Sequence, residues 1–291
     1  MGRAFQLAEH CNSLNSGSTR YHFNISKYLV ERDADVALEA ARAAGEIIRD
    51  RFSSEHEVHF KGRSDIVTDV DLAAEETILD LLTGEFPEFS ILAEESKPVE
   101  GDSPYKWVVD PLDGTRNYAH GIPHFCTIIA LAKDDHIMAG LTYDPVRDEM
   151  FTAIEGKGAF LNNTRITASE TTELSRSLLC CDLGYVDEKA GFALDLVRSL
   201  WPGMYSIRFM GSSGLGLAYA AAGRVDLYFH HSLMPWDLAG GLVLAQEAGA
   251  KVVDRQGNDG ALFTPSVIVS SPILIEEFLK TTDGQPWRTA A

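Results

Sequence analysis

Between Ala34 and Phe52 the apolar residues Leu38, Ala41, Ile48 and Phe52 recur at helical spacing with charged residues between them, which predicts an amphipathic helix. A second helix is predicted from Leu72 to Phe86, with Ile78, Leu81, Leu82 and Phe86 on its core side. The intervening "VHFKGRSDIVTDVD" (58 to 71) leads through His59 and Phe60 into a polar loop. The period then shortens. "SILAEES" (90 to 96) and "KWVVD" (106 to 110) read as strands, and "FCTIIALAKDDHIMAGLTYDP" (125 to 145) reads as two apolar strands around an Asp-Asp turn. "EMFTAIEGKGAFLNNTRI" (149 to 166) continues the pattern, with Gly-Lys-Gly and Asn-Asn as turn signals. Residues 28 to 173 therefore read as an N-terminal α+β lobe, an antiparallel meander packed by two helices.

From about residue 174 strands and helices alternate: "SLLCCDL", then "KAGFALDLVRSLW", "SIRFM", "SGLGLAYAAAG", "VDLYFH", "DLAGGLVLAQEAG" and "KVVD". That rhythm predicts a C-terminal α/β lobe over 174 to 291, with the boundary in the polar "ASETTELS" near residue 173. Residues 1 to 27 are rich in Ser and Asn, hold Glu9 as their single acidic residue, and lack the apolar core of a secretory signal. They read first as a loosely ordered tail, with a weak organelle-targeting segment or a misassigned start as the alternatives.

A chain of 291 residues is long enough for one large domain or two lobes sharing a cleft. Its net charge of −18 argues against a general electrostatic grip on nucleic acid or on an anionic membrane. An anionic substrate would need a local reversal of sign, which a bound divalent metal supplies. Cys11, Cys126, Cys180 and Cys181 show no C-x-x-C spacing, so a reducing, cytoplasmic setting is expected. No run approaches the length of a membrane span.

The chemistry concentrates in "WVVDPLDGTRNY" (107 to 118), where Asp110 and Asp113 follow an apolar strand and precede Gly114 and Thr115. A carboxylate at the end of a buried strand is costly unless a cation meets it. Mg²⁺ takes oxygen ligands and keeps waters, so a few carboxylates with a substrate phosphate form a natural site. Asp71, Glu94 and Asp237 also sit at the ends of predicted elements, and the Leu112 carbonyl lies between the two motif aspartates. If a helix or turn starts at Gly114, its free N–H groups would face an anion. Each residue also has a plainer reading. Asp-Gly is an ordinary turn signal, Asp71 and Asp237 serve equally as helix N-caps, Glu94 and Glu95 as solvated loop charges, and Lys61 as a surface lysine.

"SDIVTDVD" (64 to 71), "LAEES" (92 to 96), "WVVDPLDGTRNYAHGIPHF" (107 to 125) and "PWDLAGGLVLAQEAGAKVVD" (235 to 254) together resemble the inositol monophosphatase family of Mg²⁺-dependent, lithium-sensitive phosphatases. The blocks stand in the family's order, and the likeness spans roughly residues 35 to 270. It implies a layered α-β-α-β-α sandwich with the site between the lobes. It also implies two or three Mg²⁺ ions. Glu94, Asp110 and the Leu112 carbonyl would hold the first, Asp110, Asp113 and Asp237 the second, and a weaker third would sit near Glu94. Asp71 and Thr115 would orient and activate the attacking water, and residues Leu112 to Thr115 would bind the phosphate. Lys61 is present as in the family. Relatives are commonly homodimers.

One departure bears on the substrate. Inositol-preferring members commonly carry a glutamate seven residues before the motif aspartate, where this chain has His230, a group that can donate where a carboxylate only accepts. Arg208 and Ser213 lie where relatives contact the substrate, and Arg208 could hold a second phosphate or a carboxylate, or form a structural ion pair. The resemblance implies a phosphomonoesterase acting on a small polyol or sugar phosphate, inositol 1-phosphate first, with fructose 1,6-bisphosphatase and histidinol phosphatase as alternatives and a non-catalytic binding protein as the reading from another class.

Overall fold

The computed structural model describes residues 25–54, 56–63 and 65–289; residues 1–24, and with them most of the expected tail and Cys11, lie outside. The first helix, α1 (Ile25–Arg51), begins well before the Ala34 that the apolar pattern marks. A short hairpin of β1 (Val58–Phe60) and β2 (Ile66–Thr68) leads into α2 (Asp69–Glu85), which Thr68 caps through its side chain.

A seven-stranded sheet follows, built in order from β3 (Ser90–Ala93), β4 (Tyr105–Asp113), β5 (Cys126–Lys133), β6 (His136–Asp144), β7 (Glu149–Ile154), β8 (Gly158–Leu161) and β9 (Thr164–Ile166). The strands from β4 to β9 form the expected antiparallel meander, whereas β3 runs parallel to β4. Its tight turns sit where the sequence signalled them. Asp134 and Asp135 have φ of 48° and 65°, and Asn162 and Asn163 have φ of 46° and 66°, the backbone that Asn and Asp tolerate best in two-residue hairpins.

The second sheet is mixed. It has the order β11 (Ser206–Arg208), β10 (Leu178–Cys181), β12 (Leu227–His230), β14 (Val267–Ser270), β13 (Lys251–Val253). Strand β14, which the sequence pattern did not reveal, runs antiparallel to both of its neighbours. The helices are α3 (Thr115–Ala119), α4 (Asp187–Leu200), α5 (Ser213–Ala221), α6 (Pro235–Glu247), α7 (Pro272–Thr281) and α8 (Pro286–Thr289).

Strand alternation sorts the side chains into layers. Trp107 and Val109 of β4 point to the core under α1 and α2, while Val108 points the other way, into a core with Leu217 of α5 and Leu242 of α6. That middle core also takes in Cys180 and Tyr228 of the second sheet, whose other face packs Leu179 and Phe229 against Leu196 of α4, Phe278 of α7 and Trp287 of α8. The result is the expected α-β-α-β-α sandwich, with α5 and α6 shared between the sheets. No helix of the described residues is long and apolar enough to cross a membrane.

The middle layer is tight where α6 crosses β6. A Cβ on Gly240 would lie 2.6 Å from the Leu141 carbonyl oxygen and 2.8 Å from Ile128, and one on Gly140 would lie 2.9 Å from the Gly240 Cα. Backbone thus packs on backbone, and α6 cannot retreat without moving Asp237 in its first turn. Gly240→Ala is expected to cost about 1–3 kcal/mol by overpacking, read as a lower urea midpoint at constant slope. An unchanged midpoint would refute this packing.

Candidate active site

Two residues an odd number apart on a regular strand face opposite sides of the sheet. Asp110 and Asp113 escape this because β4 bulges between them: Asp110 pairs with Ile128 and Asp113 with Cys126, so that Pro111 and Leu112 stand against the single residue Thr127. Pro111 has no N–H for the ladder, and its carbonyl instead accepts from Thr127 Oγ1 at 2.9 Å. The Leu112 N–H folds back onto Asp110 Oδ1 at 3.0 Å, and the Leu112 side chain fills the core under α1 and α2. Both carboxylates are thereby delivered to one place.

Asp237 completes it from the other half of the chain. One oxygen from each of Asp110, Asp113 and Asp237 lies within 4.8 Å of the others. Asp237 is the third residue of α6 and not its N-cap; its Oδ2 accepts from Met234 N at 2.7 Å. Asp71 is likewise the third residue of α2, behind the true cap Thr68. Burial first, and then repulsion from Glu94, Asp113 and Asp237, pushes Asp110 well above the usual carboxylate range. Burial and Asp113 do the same to Asp237. Glu94 is raised by burial, against the pull of Lys61.

Lys61 does not neutralise this cluster. Its Nζ sits 2.9 Å from Glu94 Oε1 and 2.8 Å from Glu95 Oε1. Burial opposes its charge, but those two carboxylates outweigh burial and hold the ammonium above the ordinary lysine range. Asp110, Asp113 and Asp237 are left crowded with no ion-pair partner among the described residues, and an all-oxygen donor set of this kind suits Mg²⁺. The residues fit the ion that the sequence led one to expect.

Asp113 also ties the two sheets together. Its Oδ2 accepts from Gly214 N at 2.9 Å and from the Ser212 hydroxyl, and its Oδ1 accepts from Ser213 N at 3.2 Å and Ser213 Oγ at 3.1 Å. The carboxylate thus satisfies free N–H groups at the start of α5, where the helix dipole favours an anion. Ser213 therefore borders the cleft through Asp113. Ser212, which the sequence reading passed over, does the same from a fully buried position.

A second pair stands beside the cluster. Thr115 Oγ1 lies 2.9 Å from Asp71 Oδ1 and 3.0 Å from the Leu112 carbonyl oxygen. Asp71 Oδ2 accepts from Thr68 N at 2.9 Å and Thr68 Oγ1 at 2.5 Å. Burial lifts the Asp71 carboxyl to about 6, although the bonds from Thr68 and Thr115 oppose the rise. Gly114, with φ of 95°, makes the turn into α3, which no side chain caps.

Glu94, Asp110, Asp113, Thr115 and Asp237 line one cleft of about 400 Å³, whose walls also include Asp182, Arg116 and His230, while Asp71 stands behind Thr115 and outside the lining. Asp182 holds the 210–211 backbone by accepting from Met210 N at 2.8 Å and Gly211 N at 2.6 Å, while Asn117 Nδ2 donates to the Met210 carbonyl at 2.7 Å. Nothing in the sequence pattern marked Asp182 beyond its place after an apolar strand. Arg208 is not brought to the cleft lining: it is exposed on edge strand β11, donating to Ser206 Oγ and the Ile207 carbonyl. On so short a strand, one residue of register decides which side a side chain takes.

His230 lines the cleft from a buried position, stacked on His231 at 5.0 Å between centroids. Its Nδ1 accepts from Ser232 N at 3.0 Å, which places the proton of the neutral ring on Nε2. Burial and then His231 lower its pKa to about 3. The ring is therefore expected to stay neutral from pH 5 to 8. Its imidazole NMR signals should not shift across that range, and a titration centred near 6.5 would show that the ring is solvated instead.

The inositol monophosphatase family profile matches residues 29–285. Inositol monophosphatase 3 of Solanum lycopersicum is 39% identical over 259 residues, covering 86% of this chain and 96% of that one. Nus factor SuhB of Escherichia coli K12 is 37% identical over 249 residues, 84% of this chain and 93% of that one. Among solved structures, the extragenic suppressor protein suhB of Bartonella henselae superposes with a TM-score of 0.83 at 33% identity, covering 86% of this chain and 98% of that one. The Thermotoga maritima IMPase superposes at 0.79 and 31% identity, with 86% and 96% covered. By sequence over nearly all of the described residues, and by fold, the chain belongs to the inositol monophosphatase family.

Proposed function

We propose that the chain is a Mg²⁺-dependent phosphomonoesterase that hydrolyses a small polyol or sugar phosphate. Inositol 1-phosphate leads the candidates, with fructose 1,6-bisphosphate and histidinol phosphate behind it. The observation that carries this reading is the crowding of Asp110, Asp113 and Asp237, none of which has an ion-pair partner among the described residues. Glu94, the Leu112 carbonyl and these three aspartates would hold two or three Mg²⁺ ions. When bound, the ions neutralise phosphate charge and acidify the attacking water.

The chain's own groups supply the rest. Gly114 and Thr115 border the cleft at the uncapped start of α3, where backbone N–H groups are free to meet phosphate oxygens. The Thr115 hydroxyl, donating to Asp71, keeps a lone pair for a water proton, so that a proton passes from water to Thr115 and from Thr115 to Asp71. A carboxyl lifted to about 6 is well matched to accept it near neutral pH. His230 Nε2–H can donate to a substrate hydroxyl or its oxygen substituents.

In this reading the cleft separates two lobes that meet near residue 173. A cytoplasmic location is supported by the buried free thiols Cys126, Cys180 and Cys181. The net charge of −18 disfavours a nucleic-acid partner. A homodimer, common among relatives, is supported by exposed Trp201, Tyr205 and Phe209 beside edge strand β11. The Nus factor name of the Escherichia coli relative motivates the second reading, a binding protein without turnover.

Phosphate release from inositol 1-phosphate, fructose 1,6-bisphosphate and histidinol phosphate decides between them. Release is expected with Mg²⁺, should stop with EDTA and should fall with added Li⁺; no release from any ester would favour the binding protein. Asp237→Asn keeps an oxygen for Met234 N while removing one charge, so turnover should drop roughly 100-fold or more with the melting temperature retained. Near-normal turnover at modest Mg²⁺ would exclude Asp237 as a ligand.

A further inference from the structure

Arg116, carried in the phosphate-binding motif without an assigned role, is the remaining cation of the cleft. Of the two cationic side chains that line it, Lys61 is held by Glu94 and Glu95. Arg116 has no carboxylate within ion-pair distance among the described residues. Arg63 nearby is taken by Asp187 at 2.7 Å. In a chain of net charge −18, an arginine without a carboxylate partner on the wall of an acidic cleft has been left available.

It is also held in place. The guanidinium carbon lies 4.6 Å from the centroid of the Tyr185 ring, and Nη2 donates to the Gly184 carbonyl at 3.3 Å. Gly184 in turn packs on His230, since a Cβ there would come within 3.1 Å of the imidazole. Arg116 belongs to α3 and its platform to the segment after β10, so the guanidinium spans the cleft from one sheet's side to the other's. An aromatic face and one carbonyl fix its plane but consume only one of its five N–H donors. The rest form a fork suited to a phosphate or carboxylate.

We infer that Arg116, on the Tyr185–Gly184 platform, is a specificity-determining residue that recognises a second anionic group on the substrate, distinct from the phosphate that is cleaved. The inference rests on the phosphatase reading above and narrows it. Esters bearing a second phosphate or a carboxylate gain over matched esters without one. It also takes the role that the sequence offered to Arg208, which does not line the cleft and instead donates to Ser206 Oγ and the Ile207 carbonyl.

The test compares wild type with Arg116→Gln on two matched pairs, each with Mg²⁺: fructose 1,6-bisphosphate against fructose 1-phosphate, and 3-phosphoglycerate against glycerol 1-phosphate. The first pair reads a second phosphate, the second a carboxylate. In at least one pair, the variant should raise KM for the doubly anionic ester roughly tenfold more than for its partner, with little difference in the kcat change. Arg116→Lys should recover part of that selectivity. Tyr185→Ala, at an exposed ring, should loosen the guanidinium and shift the ratio the same way by less. Equal losses on both members of each pair would reduce Arg116 to a structural tie and overturn the inference while the phosphatase reading stands. Unchanged ratios in all three variants would overturn it too. A wild type active on inositol 1-phosphate but inert on all four esters would overturn the inference alone, and one inert on inositol 1-phosphate as well would remove the phosphatase reading and the inference with it.

Discussion

Like charges crowded on a largely buried cleft wall govern this structure. Three carboxylate oxygens within 4.8 Å of one another repel by roughly 3 kcal/mol per pair at an effective dielectric near 20. Surface carboxylates would move apart, but these cannot. Asp110 and Asp113 are fixed by a bulge that Pro111 imposes on a strand buried on both faces. Asp237 is fixed by a helix whose glycine backbone rests on the sheet. The fold thus builds a deficit of positive charge that its single nearby lysine does not fill.

The same residues account for why the sheets stay together. Asp113 ends β4 and receives the first N–H groups of α5, so one carboxylate serves both as part of the acidic cluster and as a joint between sheets. Asn117 and Asp182 grip the 210–211 backbone from opposite sides, one through its carbonyls and the other through its N–H groups. Arg116 and the Gly184–Tyr185 platform close the outer wall. The position of the cluster and the shape of the cleft therefore follow from one set of contacts.

Much of this was legible in the sequence, for identifiable reasons. The meander from β5 to β9 is local, and its turns carry Asp-Asp and Asn-Asn pairs whose backbone preferences are strong. The middle helices are read from their long apolar runs. What stayed hidden depends on distant pairing. Strand β14 inserts between β12 and β13 and belongs to no local rhythm. Asp71 and Asp237 were open between helix cap and site residue, and the structure makes each the third residue of its helix, where it accepts the N–H of the capping residue. Where Arg208 and Arg116 sit relative to the cleft was hidden because the side of a three-residue strand and the partner of a motif arginine are both tertiary facts. His230 was a recognisable departure, but its neutral state and donor nitrogen follow only from burial and the Ser232 N–H.

The central claim, that the acidic cluster exists to hold divalent cations, is tested most directly by crystals soaked in Mn²⁺ and measured at the manganese absorption edge. Anomalous density is expected within coordinating distance of Asp110, Asp113 and Asp237, and its loss from that position in Asp237→Asn crystals. Density only on surface carboxylates, with the three aspartates left unliganded at saturating Mn²⁺, would contradict it.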